Sequence, residues 1–216
     1  MKRKRILRKS ETMPVVKSYL TPEKAVRQRF NVKNSRFIAS LFPVESEEES
    51  SRYLDTVAAE FPDATHHAYA FRIGAGSEII ERASDDREPA GTAGPPMLQF
   101  LQGYNVSDAL IIGTRYFGGI KLGIGGLTRA YRECARICLE NAVLRMREPV
   151  QAYHLTISYE DFGAVNRLLE SKSGIIHEAD YGREIKLVAG IPARLNRSFL
   201  NGLKTATRGR GKWEKI

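Results

Sequence analysis

Apolar residues recur along the chain with strand-like spacing in some segments and helix-like spacing in others, which predicts an α+β protein. In the first part of the chain, strand patterns lie at residues 35–43, 68–73, 78–83 and 108–112. Helical patterns lie at residues 46–60, 97–103 and 127–144. These segments predict one α/β domain over residues 13–149.

Pro149 marks a plausible boundary, and the remaining residues repeat a familiar order of elements. Strand patterns lie at residues 153–159, 175–179, 184–188 and 213–216, and helical patterns at 162–171 and 192–205. The order βαββαβ predicts a ferredoxin-like domain over residues 150–216.

The first twelve residues, MKRKRILRKSET, are strongly basic and have no apolar periodicity, so we expect a disordered arm. This arm is either a functional basic tail or an extension before a start at Met13. It contributes +5 of the net charge of +9, residues 13–150 contribute 0, and residues 151–216 contribute +4. An electrostatic footprint for nucleic acid is therefore expected in the arm or after residue 150.

Composition excludes several classes of protein. The chain is 42% apolar, which is enough for well-packed cores, and it contains no apolar run of membrane-spanning length and no signal-peptide pattern. We therefore expect a cytoplasmic protein with no membrane partner. Cys134 and Cys138 stand four apart on one predicted helix, so we expect buried thiols rather than a disulfide or a zinc site.

A glycine-rich segment, GTRYFGGIKLGIGG at residues 113–126, follows an apolar strand pattern and precedes a helix. Glycine amides and a helix N-terminus favour an anion such as phosphate, although the glycines could equally serve only tight turns. Neither the Walker A spacing nor the dinucleotide-binding spacing fits, so we expect no nucleotide cofactor and no other cofactor. The candidate anion-binding residues here are Arg115, Gly118, Gly119, Lys121, Gly123, Gly125, Gly126, Thr128 and Arg129.

An acidic turn lies within SDDREPAGTAGPP at residues 84–96. Clustered carboxylates could bind a hard cation or act in acid–base chemistry together with a nearby histidine. The alternative is a solvated loop whose charge Arg87 partly neutralises, and we assign no metal site. The candidate catalytic residues are His66, Asp85, Asp86 and Glu88.

Four motifs carry a resemblance to a known family. They are SRF at 35–37, ATHHAYAFR at 64–72, SDDREPAGTAGPPML at 84–98 and RYFGGIKLGIGGLTRAY at 115–131. In this order they resemble the IMPACT/YigZ family. The family usually has glycine where Arg87 stands and lysine where Pro95 stands.

The resemblance implies an architecture more than a reaction. It implies an IMPACT N-terminal-type first domain, similar to a small-subunit ribosomal protein domain and to domain IV of elongation factor G. It also implies a ferredoxin-like second domain similar to domain V of that factor. Eukaryotic relatives act in translational control, but they do so with an extra partner-binding domain that this sequence does not show.

Two function classes follow. The first is a non-enzymatic, translation-associated protein that binds RNA, the ribosome or a protein partner. In it, the glycine-rich segment would act together with basic residues of the second domain, namely Arg194, Arg197, Lys204, Arg208, Arg210 and Lys212. The second class is a metal-dependent hydrolase or an enzyme acting on a phosphorylated ligand, built from the acidic and glycine-rich segments. The sequence does not indicate an oligomeric state.

Overall fold

The computed structural model describes residues 18–216, which fall into two compact units that divide after Val150. The predicted basic arm lies outside the described residues. No helix in the described part of the chain is long and apolar enough to cross a bilayer.

The described residues of the first unit form seven strands and three helices. Its strands are β1 Tyr19–Pro22, β2 Val26–Val32, β3 Ser35–Pro43, β4 His66–Ile73, β5 Ile80–Ser84, β6 Ala109–Tyr116 and β7 Leu144–Arg147. Its helices are α1 Glu47–Glu60, α2 Gly94–Gly103 and α3 Ile124–Glu140, and a short 3-10 turn covers Gly76–Glu78.

A five-stranded antiparallel sheet with the order β2-β3-β6-β4-β5 organises this unit. Helices α2 and α3 pack on one face of the sheet around Met97, Leu101 and Tyr131. The other face packs on α1 through a smaller cluster that includes Val57 and Leu110. Strands β1 and β7 form a separate two-stranded sheet.

The predicted elements agree with the structure in the sheet centre and differ at its margins. The strand predicted at 35–43 is confirmed as β3 with the same bounds. The helix predicted at 127–144 is wrong at both ends. It begins at Ile124 and ends at Glu140, and Leu144 starts β7, which pairs with β1. Strands β1, β2 and β7 were not predicted.

The glycine-rich segment is also shorter than predicted, because β6 continues to Tyr116. Gly113 and Arg115 are therefore strand residues. Pairing places Phe37 of β3 and His66 of β4 on either side of Arg115, so these three side chains form one row across the sheet.

The second unit has the predicted ferredoxin-like order. Its elements are β8 Val150–Ile157, α4 Tyr159–Ser171, β9 Ile175–Tyr181, β10 Ile185–Pro192, α5 Asn196–Ala206 and β11 Lys212–Lys215. The sheet order is β11-β8-β10-β9, and its core includes Leu155, Leu169 and Phe199. The last helix begins later than predicted, because β10 runs to Pro192 and a 3-10 turn follows at Ala193–Leu195.

The two cysteines are buried, as the sequence predicts. Cys134 and Cys138 are fully buried free thiols on the inner face of α3. Burial raises the pKa of the Cys138 thiol to about 12 and raises that of Cys134 well above its usual value. Both thiols are therefore packing groups rather than nucleophiles.

Close contact between β6 and α3 gives a first testable prediction. A Cβ at Gly113 would lie 2.8 Å from the Tyr131 ring, which is fully buried. Gly113→Ala should therefore lower the free energy of unfolding by about 1–3 kcal/mol, measured by urea denaturation. Gly103→Ala is the matched control, because a Cβ there meets nothing within 4 Å. Equal stability of the two variants would contradict this packing.

Candidate functional site

A cavity of about 400 Å³ opens beside the row formed by Phe37, Arg115 and His66, where β4, β6, the acidic turn and the start of α3 come together. Its polar lining residues are Thr65, His66, Glu88, Arg115 and Lys121. Its apolar lining includes Pro89, Phe117, Leu122, Ile124 and Leu127.

A buried ion pair lies at this cavity. Arg115 Nη1 donates to Glu88 Oε1 at 2.7 Å, and the Tyr131 hydroxyl donates to the same oxygen at 2.9 Å. Arg115 and Glu88 are only 4% and 8% exposed, so water screens their charges weakly. Burial, followed by the Glu88 carboxylate, raises the pKa of the Tyr131 hydroxyl far above its usual value, which keeps the phenol protonated as a donor.

The guanidinium of Arg115 is held by further contacts. Its Nη2 donates to Ser35 Oγ at 3.1 Å. Its carbon lies 5.7 Å from the Phe37 ring centroid and 5.4 Å from that of Phe117, which are cation–π distances. Nε is buried and has no hydrogen-bond partner among the described residues. Arg115 is therefore a fixed structural cation rather than a mobile surface charge.

His66 is oriented by the acidic turn. Its Nδ1 lies 2.7 Å from the backbone carbonyl oxygen of Asp86, and a carbonyl can only accept, so Nδ1 carries a proton. Its Nε2 lies 3.8 Å from Glu88 Oε1. His67 points to the other face of the sheet, as the alternation predicts, with Nδ1 3.1 Å from Thr114 Oγ1.

The carboxylates of Asp85 and Asp86 hold the turn together. Asp85 accepts backbone N–H groups from Gly91, Ala93 and Gly94 at 2.8–3.0 Å, and thereby satisfies the start of α2. Asp86 accepts the backbone N–H of His67 at 2.5 Å. Within the described residues, no group of three or more His, Cys, Asp or Glu side chains could hold a metal ion. Of the candidate catalytic residues, the cavity brings together only His66 and Glu88.

Arg87 occupies a backbone conformation that glycine adopts more easily. Asp86 and Arg87 have φ of 40° and 68°, and the Glu88 N–H donates to the Asp85 carbonyl at 3.0 Å. Two consecutive left-handed residues closed by this bond follow the type I′ turn pattern. The glycine that the family usually has at position 87 would adopt this conformation at less cost than arginine does.

The glycines after β6 serve two different purposes. Gly118 lies so close to the turn before β3 that a Cβ would meet the Asn34 carbonyl oxygen at 2.0 Å. Gly119 and Gly123 have positive φ and open surroundings. Gly123 is the N-cap of α3, and no described side chain caps the first amides of this helix. Gly125, Gly126, Thr128 and Arg129 form the first turns of α3.

The predicted basic residues of the second unit differ in their partners. Arg197, Lys204 and Arg208 are exposed and form no salt bridge with the described residues. Arg210, by contrast, bonds Asp161 at 2.8 Å and approaches Glu160 at 3.5 Å. Arg194 is an exposed residue of the 3-10 turn, and Lys212 lies on β11.

The pairing of Arg210 has an electrostatic consequence. Burial would raise the pKa of the Asp161 carboxyl, but hydrogen bonds from Arg210 and Ser158 hold it below its usual value, and the charge of Arg208 adds to this effect. Arg210 therefore serves the local structure, whereas Arg197, Lys204, Arg208 and Lys212 are exposed and form no salt bridge with the described residues.

Sequence reasoning missed Tyr131 and Ser35 as partners in the buried cluster. A signal was present for Arg115, because Ile111, Gly113 and Arg115 alternate on one face of β6, the face that packs on α3. Nothing local marks Tyr131 as the partner of Glu88, which is 43 residues away.

The buried pair gives a second prediction. Arg115→Met leaves the Glu88 carboxylate without its counter-charge and should lower the free energy of unfolding by about 3–5 kcal/mol in urea at pH 7. Adding Glu88→Leu removes the stranded charge, so the double variant should be more stable than Arg115→Met alone. Arg136→Met is the control, since among the described residues Arg136 pairs with half-buried Glu133 and exposed Glu140 on the surface of α3. A double variant less stable than Arg115→Met would contradict this account.

Comparison with known proteins agrees with the motifs. The model of the Impact N-terminal domain matches residues 33–139, and that of a domain of unknown function, DUF1949, matches residues 155–210. The Escherichia coli (strain K12) protein named IMPACT family member YigZ is 35% identical over 195 residues, which cover 90% of this chain and 96% of that protein. Bacillus subtilis (strain 168) IMPACT family member YvyE is 31% identical over 193 residues, which cover 89% and 88%.

Solved structures extend this agreement to the fold. A crystal structure titled as that of a hypothetical protein covers 92% of this chain and 97% of its own, with a TM-score of 0.67 and 33% identity. A crystal structure from Thermus thermophilus covers 95% of this chain and 29% of its own, with a TM-score of 0.52 and 14% identity, which shows the fold alone. The predicted fold, a unit like domain IV of elongation factor G followed by a ferredoxin-like unit, is confirmed. This chain belongs to the IMPACT family.

Proposed function

We propose that this chain is a non-enzymatic, translation-associated protein that binds RNA through phosphate contacts on its second unit. The observation that carries the proposal is a stripe of exposed cations on and after α5, formed by Arg197, Lys204 and Arg208. None of them forms a salt bridge with the described residues. Cations without carboxylate partners are available to phosphates, and phosphate contacts supply most non-specific affinity for nucleic acid.

The geometry of α5 keeps these cations on one side. Phe199 and Leu203 are buried in the core, so the opposite side of the helix faces solvent. Arg197 and Lys204 are seven residues apart, which corresponds to two turns and a rise of about 10 Å on the same face. Arg208 continues the stripe just beyond the helix end.

The open face of the ferredoxin-like sheet is a poorer candidate for RNA. Glu178, Asp180 and Glu214 are exposed on the second unit, and register places Asp180 beside Lys186. Trp213 contacts the Tyr153 ring edge-on, so this aromatic side chain belongs to the core side of β11. Base stacking on that sheet is therefore not favoured, and we expect contacts mainly to phosphate with weak sequence preference.

The link to translation rests on similarity rather than on the site. The Nanoarchaeum equitans protein named elongation factor 2 is 32% identical over 95 residues, which cover 44% of this chain and 13% of that protein. The fold likeness to elongation factor G points the same way, although a fold alone does not assign a function. A protein partner in translational control is compatible with this proposal.

The enzyme alternative has less support from the geometry. The Asp85 carboxylate is occupied by three backbone amides, and Asp86 accepts the His67 N–H. Neither carboxylate is left open as a pair for a divalent cation.

Removal of the stripe tests the proposal. The variant Arg197→Ala/Lys204→Ala/Arg208→Ala should bind labelled RNA at least tenfold more weakly in fluorescence anisotropy. Its plot of log affinity against log salt should become less steep by about 2 for single strands, because three phosphate contacts are lost.

The control variant is Lys172→Ala/Arg183→Ala/Lys186→Ala, which removes the same charge from positions outside the stripe. Of these, Arg183 and Lys186 are exposed and Lys172 is half-buried. We expect the control to retain affinity to within about threefold. Equal losses in both variants would mean that only net charge matters, and the stripe would then have no specific role.

A further inference from the structure

We propose that the cavity beside Arg115 is a subsite for one unstacked nucleotide, with its base inside and its phosphate at the start of α3. This inference rests on the proposed RNA-binding function and adds a second contact site to it, on the first unit. The bound nucleotide is either part of an RNA chain or a free mononucleotide, since both present a base and a phosphate.

The inner end of the cavity presents hydrogen-bond acceptors. Glu88 Oε1 already accepts hydrogen bonds from Arg115 and Tyr131, whereas Oε2 accepts none from the described residues. Oε2 is also not one of the fully buried polar atoms that lack a partner, so a ligand can reach it. In neutral His66 the proton is on Nδ1, so Nε2 is a second acceptor. A ligand group that enters here must therefore bring N–H or O–H donors.

The walls favour a flat apolar body. Phe117 is 45% exposed, and it takes part in no ring–ring contact among the described residues. Ile124 and Leu127 also line the cavity. A volume of about 400 Å³ lies in the range of small-ligand pockets. A nucleobase has this flat shape and can stack on an aromatic ring.

The mouth of the cavity favours an anion. Lys121 lines it, and the N-cap Gly123 leaves the first amides of α3 without a side-chain cap. Lys121 forms no salt bridge with the described residues and is therefore available to an anion.

A nucleotide combines the three features that the cavity favours, namely hydrogen-bond donors at one end, a flat apolar body and an anionic group at the other end. Its base carries donors and a flat apolar ring, and its phosphate lies at the far end. Two adjacent acceptors, Glu88 Oε2 and His66 Nε2, favour a base edge with several donors. Guanine offers its ring N–H and amino group, whereas uracil offers a single ring N–H, so guanine should bind more tightly.

Calorimetric titration of the full chain with mononucleotides tests the inference. Guanosine 5′-monophosphate should bind about tenfold more tightly than uridine 5′-monophosphate, which corresponds to one hydrogen bond to a charged group. Guanosine without its phosphate, and inorganic phosphate alone, should each bind at least tenfold more weakly than the intact nucleotide.

A blocking variant locates the binding. Ile124→Trp enlarges a side chain that is 71% exposed at the cavity, so it should fill the mouth without disturbing the core and weaken nucleotide binding at least tenfold. Met146→Trp is the matched control, since Met146 is 74% exposed and does not line the cavity. It should leave the affinity unchanged.

The outcomes separate this inference from the proposed function. If RNA binds through the stripe while no mononucleotide binds, or if Ile124→Trp and Met146→Trp behave alike, the subsite is refuted and the proposed function stands. Equal affinity for the guanosine and uridine nucleotides would also refute it. If the guanosine nucleotide binds in the cavity and no RNA binds, the site serves free nucleotides and the proposed function fails.

Discussion

The buried pair between Arg115 and Glu88 is the interaction on which the first unit depends. Two charges removed from water are costly unless each is held by further hydrogen bonds. Here Tyr131 of α3 and Ser35 of β3 provide those bonds, so one cluster joins the sheet, the acidic turn and the longest helix. The cavity lies beside this cluster, and Glu88 and Arg115 belong to both. Because these two side chains hold each other in place, the polar lining of the cavity is fixed.

The acidic turn is shaped by the same requirement. To bring Glu88 under the sheet, the chain reverses through Asp86 and Arg87 in left-handed conformations, which are unfavourable for residues with a side chain. The Asp85 carboxylate offsets that cost by accepting three amides, and these include the start of α2. Asp85 and Asp86, which resemble a cation site in the sequence, therefore position Glu88 and orient His66.

The sequence was sufficient where an element is determined by its own pattern, and insufficient where pairing decides. Strand β3 has apolar residues that are buried on both faces, so its bounds were predicted correctly. Edge strand β2 has no fully buried residue, and its mixed composition gave no signal. Leu144 continues the helical spacing of α3, yet it pairs with β1, a contact that no local pattern contains. The ion pair was missed for the same reason, since Arg115 and Glu88 are 27 residues apart.

The charge distribution gives the two units different means of attracting an anion. Residues 151–216 carry a net charge of +4. Exposed cations there can attract an anion through this net charge, provided that no carboxylate neutralises them. Residues 13–150 have no net charge, so attraction there must come from local geometry. The uncapped amides of α3 and the neighbouring Lys121 provide such geometry beside a fixed set of acceptors. In the two proposals, the second unit accordingly supplies charge for phosphate contacts, and the cavity of the first unit supplies discrimination between chemical groups.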